Sequence, residues 1–206
     1  TQVSQGLTTA QVVALSTAQV NQGLTTAQIN LGLTTTQVAA METQDIAAVS
    51  TAQIAALSTA QVVALSTAQV NQGLTTVQIN LGLTTTQIAV IETGDIAVLT
   101  NTNVAALTTT QVSLGLTTAQ VVALTTAQVN LGLTTAQINL GLTTAQVAVM
   151  ETRDIAALST AQIAVLTTAG IVALATEQVV ALTSAQTLAL GTTQIAVLET
   201  RDIAAL

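Results

Sequence analysis

Every eight or nine residues the chain returns to the same phrase. Aligned on its central polar residue, the units fall at Gln11, Gln19, Gln28, Gln37, Asp45, Gln53 and onward to Asp202. The eight-residue form reads LSTAQVVA, as at Leu57, and the nine-residue form reads LTTAQINLG, as at Leu133. A unit this short cannot bury its own apolar face, so neighbours must stack and share a narrow, continuous core. That requirement constrains the fold more than any single residue does. The ninth residue comes with a glycine (Gly23, Gly32, Gly73, Gly82, Gly115, Gly132, Gly141) placed just before the next leucine. A longer period lies on top. The stretch beginning at Ser16 recurs at Ser66, a shift of 50 residues or six units, and again near Thr125 after one additional unit. We therefore expect residues 1–206 to form one continuous repeat array. The array begins at Thr1 and opens and closes within a repeat, which predicts a piece of a longer chain or filament.

Two local structures fit the phrase. In the first, each unit is a short helix and the chain is an all-α solenoid. At Leu15, Ser16 takes the N-cap and Gln19 the third helical position, from which its side chain reaches back to the cap. Leu15 and Val20 then form the hydrophobic staple across that cap, and a glycine past the end closes the helix in the left-handed conformation. A single continuous helix is excluded, because eight residues overshoot two turns by roughly 80° and the leucine stripe would spiral around it. In the second reading, each unit is one strand of a β-solenoid. Ala136, Ile138 and Leu140 alternate with Thr135, Gln137 and Asn139 at period two, and Thr, Val and Ile favour strands. The eight-residue form breaks this alternation, since Val121 and Val122 are adjacent. Units per solenoid turn are two or three by divisibility of six. Pairing long units with long and short with short favours two.

Composition narrows the function. The chain has no Phe, Tyr or Trp, so its core rests on Leu, Val, Ile and Ala. Without Cys or His it lacks thiolate and imidazole ligands and the usual neutral-pH general base. Its only basic residues are Arg153 and Arg201 against a net charge of −7, which excludes a nucleic-acid footprint. Thr-Gln groups interrupt every apolar run before it reaches the roughly 20 residues of a membrane-spanning helix. No signal peptide is legible. An enzyme is not expected.

The charges are concentrated. Eight of the nine acids lie in four units: METQD (Glu42, Asp45), IETGD (Glu92, Asp95), METRD (Glu151, Asp154) and LETRD (Glu199, Asp202). Glu177 is the other. These units follow one another at intervals of six, seven and six units. In the helical reading Glu replaces the Ser or Thr cap and Asp replaces Gln, so both carboxylates sit at a helix N-terminus, where the dipole favours them. Two further roles stay open. Arg153 and Arg201 can pair with acids of another copy, and the eight carboxylates are candidate Ca²⁺ ligands, although that ion needs six to eight oxygens. No other cofactor is expected. The repeated Thr pairs read as caps and solvated surface, or, in the strand architecture, as a flat ice-binding array. The asparagines of the glycine-bearing units (Asn21, Asn30, Asn71, Asn80, Asn130, Asn139) read as local helix-end signals.

LTTAQVVAL resembles the low-complexity octad repeats of very large secreted or surface-attached bacterial proteins of adhesin-like organisation, across the whole chain. It is also similar to the helix opening of TAL-effector repeats, but the longer repeat, the base-reading loop and the basic charge are missing, so DNA reading does not carry over. The resemblance to the octad repeats implies an extracellular or cell-surface protein. Together these readings predict a non-catalytic structural repeat, the body of a filament, stalk or surface layer that self-associates end to end or laterally. The alternative is a binding solenoid that recognises a protein, a glycan or ice through one face.

Overall fold

The computed structural model of the chain describes residues 6–204. Among the described residues the chain is all α, with 24 short helices, one per sequence unit, and no strand. The one-strand-per-unit alternative therefore fails, and with it the flat threonine array on which an ice-binding face depended. No helix among the described residues is long and apolar enough to cross a membrane.

The helices are short because each is capped within one phrase. The Gln61 N–H donates to Ser58 Oγ at 3.2 Å, and the Ser58 N–H donates to Gln61 Oε1 at 2.8 Å. This is the reciprocal box expected from the sequence. The corner before it is made by two residues in extended conformation, Leu57 (φ −57°, ψ 135°) and Ser58 (φ −69°, ψ 157°). The leucine before the cap and the Val or Ile after the glutamine are the buried positions, as at Leu57 and Val62.

Contacts divide the chain into two compact units, Thr1–Leu99 and Thr100–Leu206. Each has the same internal register. In the first, Thr43–Ala48 packs on Gln69–Gly73, Thr51–Ala56 on Gln78–Gly82, and Thr59–Val63 on Thr85–Ala89. In the second, Thr152–Ala157 packs on Thr176–Val180 and Thr160–Ala164 on Ser184–Ala189. Every partner lies three units further along, so three helices complete a turn and the expectation of two is corrected. The physical reason is the core. Each unit offers two apolar side chains, and three helices enclose an interior in which six of them meet. Two helices would close on each other without an interior, and the chain has no aromatic side chain to fill a wider one.

The nine-residue units hold the corners in register by widening the helix. Gln137–Gly141 is π-helical, and the Leu142 N–H donates to the Gln137 carbonyl five residues back at 2.8 Å. The extra residue is absorbed in that wider turn rather than in a loop. The expected left-handed glycine cap does not form, because no described residue has positive φ. Glycine answers a different need. A Cβ on Gly132 would lie 3.0 Å from Val104 Cβ, and one on Gly82 3.0 Å from Ile54 Cγ2. The widened turn presses its backbone onto the helix three units earlier, and only a residue without a side chain fits there. The asparagines correct a second expectation. Asn21 Nδ2 donates to the Ala48 carbonyl and Asn130 Nδ2 to the Ala157 carbonyl, so they bond the end of the helix stacked upon them rather than their own.

Candidate functional site

The residues that recur most strictly do the joining. A glutamine side chain has an acceptor and two donors. Its Oε1 caps its own helix, and its Nε2 reaches back across the stack. Gln61 Nε2 donates to the Ile29 and Leu33 carbonyls at 2.7 and 2.7 Å, and Gln87 Nε2 to those of Ile54 and Leu57 at 2.8 and 2.8 Å. In the second compact unit, Gln162 Nε2 donates to Val129 and Leu133 at 2.8 and 2.6 Å, and Gln186 Nε2 to Ile155 and Leu158 at 2.8 and 2.7 Å. The carbonyls belong to the end of the helix four units back, where backbone acceptors lack intrahelical donors. These glutamines are buried, and each amide serves as an internal strut between successive turns. The sequence reading assigned Gln the cap and missed the strut.

The four acidic units interrupt this ladder. Glu42, Glu92, Glu151 and Glu199 occupy the N-caps, and none makes a side-chain capping bond. Asp45, Asp95, Asp154 and Asp202 are buried in the glutamine position. Their surroundings differ. Asp202 Oδ1 accepts the Thr176 hydroxyl at 2.9 Å. Neither oxygen of Asp154 has a hydrogen-bond partner, and the nearest cation is the Arg153 guanidinium, 3.9 Å away at Nε. Burial pushes the Asp154 carboxyl above the usual range; Arg153 opposes this, the Glu151 charge adds to it, and the nearby Glu151 N–H opposes it. Burial also raises Asp45, with the Glu42 charge adding to the effect and the Glu42 N–H opposing it.

Each arginine pairs first with the glutamate that caps its own helix. Arg201 Nε lies 2.8 Å from Glu199, and Arg153 Nε 2.5 Å from Glu151. All four are solvent-facing, so each pair is worth about 0–1 kcal/mol.

The three-unit turn explains the six-unit spacing of the acidic units, which amounts to two turns and returns to the same face. In the first compact unit the helices of Asp45 and Asp95, Thr43–Ala48 and Thr93–Val98, both pack on Gln69–Gly73. In the second, Thr152–Ala157, Thr176–Val180 and Thr200–Ile203 stack in sequence. Arg153, Glu177 and Arg201 stand at the same position of these three helices. Glu177, isolated in the sequence, is thus the middle charge of an alternating column. Every charged residue of the second compact unit lies on that one face.

As Ca²⁺ candidates the eight carboxylates remain in pairs. Among the described residues no group of three or more His, Cys, Asp or Glu comes together to hold a metal ion. Two carboxylates fall well short of the oxygen shell that ion takes.

A sequence model described as "ALTTAQ repeat" matches residues 38–76, 88–126 and 147–184, together more than half of the chain. The matches contain Asp45, Asp95 and Asp154 in turn, one acidic unit each. No curated protein and no solved structure matches the chain.

Proposed function

Because the chain belongs to the ALTTAQ repeat family, we propose that it serves as a structural repeat protein, the non-catalytic body of an extracellular filament, stalk or surface layer. One observation carries the reading: the glutamine struts all point the same way. The glutamines of each turn donate toward the preceding turn, and its helix-end carbonyls accept from the glutamines of the next. Such a stack has polarity and a repeatable joint, so a donor turn of one copy meets an acceptor turn of another with the bonds used inside each compact unit. That favours end-to-end self-association. The threonine-rich surface, with charge confined to one face of each compact unit, sets solubility and lateral contact.

The test is assembly itself. Light scattering and negative-stain imaging over a concentration series should show particles that lengthen at constant width. A chain that keeps its helical circular dichroism yet stays monodisperse at every concentration overturns the filament reading. In that case the binding solenoid becomes the better account. One observation favours it: the second compact unit exposes Leu114 and Leu140 on directly stacked, uncharged helices, Gln111–Gly115 and Gln137–Gly141.

A further inference from the structure

The glutamine position in this fold calls for a hydrogen donor. At Gln137 and Gln146, for example, Nε2 meets carbonyl oxygens at the end of the helix four units earlier. At Asp154 the position holds a carboxyl group whose side chain is 1% exposed and whose two oxygens have no hydrogen-bond partner. By the same register, the carbonyls a glutamine would meet there are those of Val121 and Leu124. An ionised carboxyl is an acceptor only and brings negative charge toward those oxygens. A neutral carboxyl carries one O–H donor.

We propose that Asp154 is a proton-operated link between two turns of the second compact unit. With its proton, the carboxyl takes the place of the glutamine strut and donates its O–H to the Val121 or Leu124 carbonyl. When the proton leaves to solvent, the Asp154 position donates nothing, and the two turns are held by the neighbouring Gln146 and Gln162 struts, the Asn130–Ala157 bond and apolar packing. The electrostatic surroundings are sparse enough to define. On its own helix Asp154 faces the Glu151 carboxylate, whose charge opposes ionisation, and Arg153 and the Glu151 N–H, which favour it. Of the two helices packed against it, Gln128–Gly132 carries no charged residue and Thr176–Val180 carries Glu177 alone. The chain supplies its own control. Residues 199–204 repeat the sequence of 151–156, but Asp202 Oδ1 accepts the Thr176 hydroxyl, a partner Asp154 lacks.

The experiment is a carbon-13 titration of the full chain, labelled at aspartate carboxyls and backbone carbonyls, from pH about 3 to about 8, which brackets the ordinary carboxyl range. The Asp154 carboxyl should titrate above that range, and the Val121 or Leu124 carbonyl shift should move with the same midpoint. Thermal unfolding of the wild type, Asp154→Gln and Asp202→Gln gives the second readout. The gap between Asp154→Gln and wild type should widen as pH rises through that midpoint, and the gap for Asp202→Gln should not. An Asp154 titration within or below the ordinary range overturns the proposal, as does a midpoint that neither carbonyl follows. A pH-independent gap also overturns it. If Asp154→Gln does not fold, the wild-type titration decides alone.

Discussion

Two neighbouring helices, Thr152–Ala157 and Thr160–Ala164, meet the same structural demand with different residues. In the second, Gln162 caps its own helix through Oε1 at 2.7 Å and ties it to the preceding turn through Nε2 at 2.8 and 2.6 Å. In the first, Asp154 occupies the same buried position, and neither of its carboxyl oxygens has a hydrogen-bond partner. One repeat length, one corner geometry and one apolar pair serve both helices. The contrast separates what makes a unit fold from what makes it join. The leucine, the cap and the Val or Ile suffice for a helix, whereas the side-chain amide decides how firmly that helix is tied to the turn before it.

The strongest way to break the contrast is to remove the strut. Gln162→Ala deletes the acceptor for the Ser159 N–H and strands the Val129 and Leu133 carbonyls in the core. At about 1–3 kcal/mol for each buried group left unsatisfied, the loss should reach about 3 kcal/mol or more by chemical denaturation. Because stability in a solenoid is a sum of neighbour terms, the transition should also split into two steps. Asp154→Ala should cost much less at a pH above the Asp154 midpoint, where the ionised carboxyl donates no bond. Equal losses at the two positions would show that the amide is not the joint.

The glycine-bearing units come next. Gly132→Ala gains helix propensity of about 1 kcal/mol, so a position chosen only for its backbone would be stabilised. Here the new methyl meets Val104 Cβ at 3.0 Å and the Asn101 carbonyl at 3.4 Å. Overpacking of this kind costs about 1–3 kcal/mol, and a net loss in melting temperature is expected. Gly94→Ala, where nothing lies within 4 Å of the added carbon, should be neutral or stabilising. A cap deletion is smaller again. Thr143→Ala removes the hydroxyl that accepts the Gln146 N–H and should cost about 1 kcal/mol.

Half of this joint was legible in the sequence. The phrase shows the cap, the staple pair and the Gln that reaches back, because all three act within four residues of one another. It hides the Nε2 bonds, whose partners are backbone carbonyls 28–34 residues away, such as Leu158 for Gln186 and Val112 for Gln146. A carbonyl leaves no mark on residue identity. One signal was present all the same: a capping box accepts Glu as readily as Gln, yet the chain repeats Gln at that position and never Glu. Only the amide has hydrogens left to give. Gly132 and Asn130 were misread for the same reason, since what they touch lies a full turn away at Val104 and Ala157. The three-unit turn was open to inference from the acidic units, whose six-unit spacing is two turns of three. Matching unit lengths pointed to two instead, because it ignored how many side chains an interior must enclose. Glu177 acquired a place only when the stack put it between Arg153 and Arg201.

The smallest expected effect sharpens the contrast most. Arg153 and Arg201 occupy equivalent positions in identical hexapeptides, and removing either exposed pair should change stability by no more than about 0–1 kcal/mol near neutral pH. Their effects on proton binding should differ. Neither carboxyl oxygen of Asp154 has a hydrogen-bond partner, and Arg153 is the largest influence opposing the effect of its burial, so Arg153→Ala should drive the Asp154 titration further upward. The sign follows from linkage. A carboxyl raised in the folded state adds stability below its unfolded pKa of about 3.9, and that stability is lost as pH rises through the folded value. Arg153→Ala should therefore extend the pH window in which the Asp154 contribution fades, toward neutral pH. Arg201→Ala should leave the window in place, because Asp202 keeps the Thr176 hydroxyl. Melting curves of the two variants across that range make the comparison. If both arginines shift the window equally, the hydrogen bond to Asp202 does not distinguish the two aspartates.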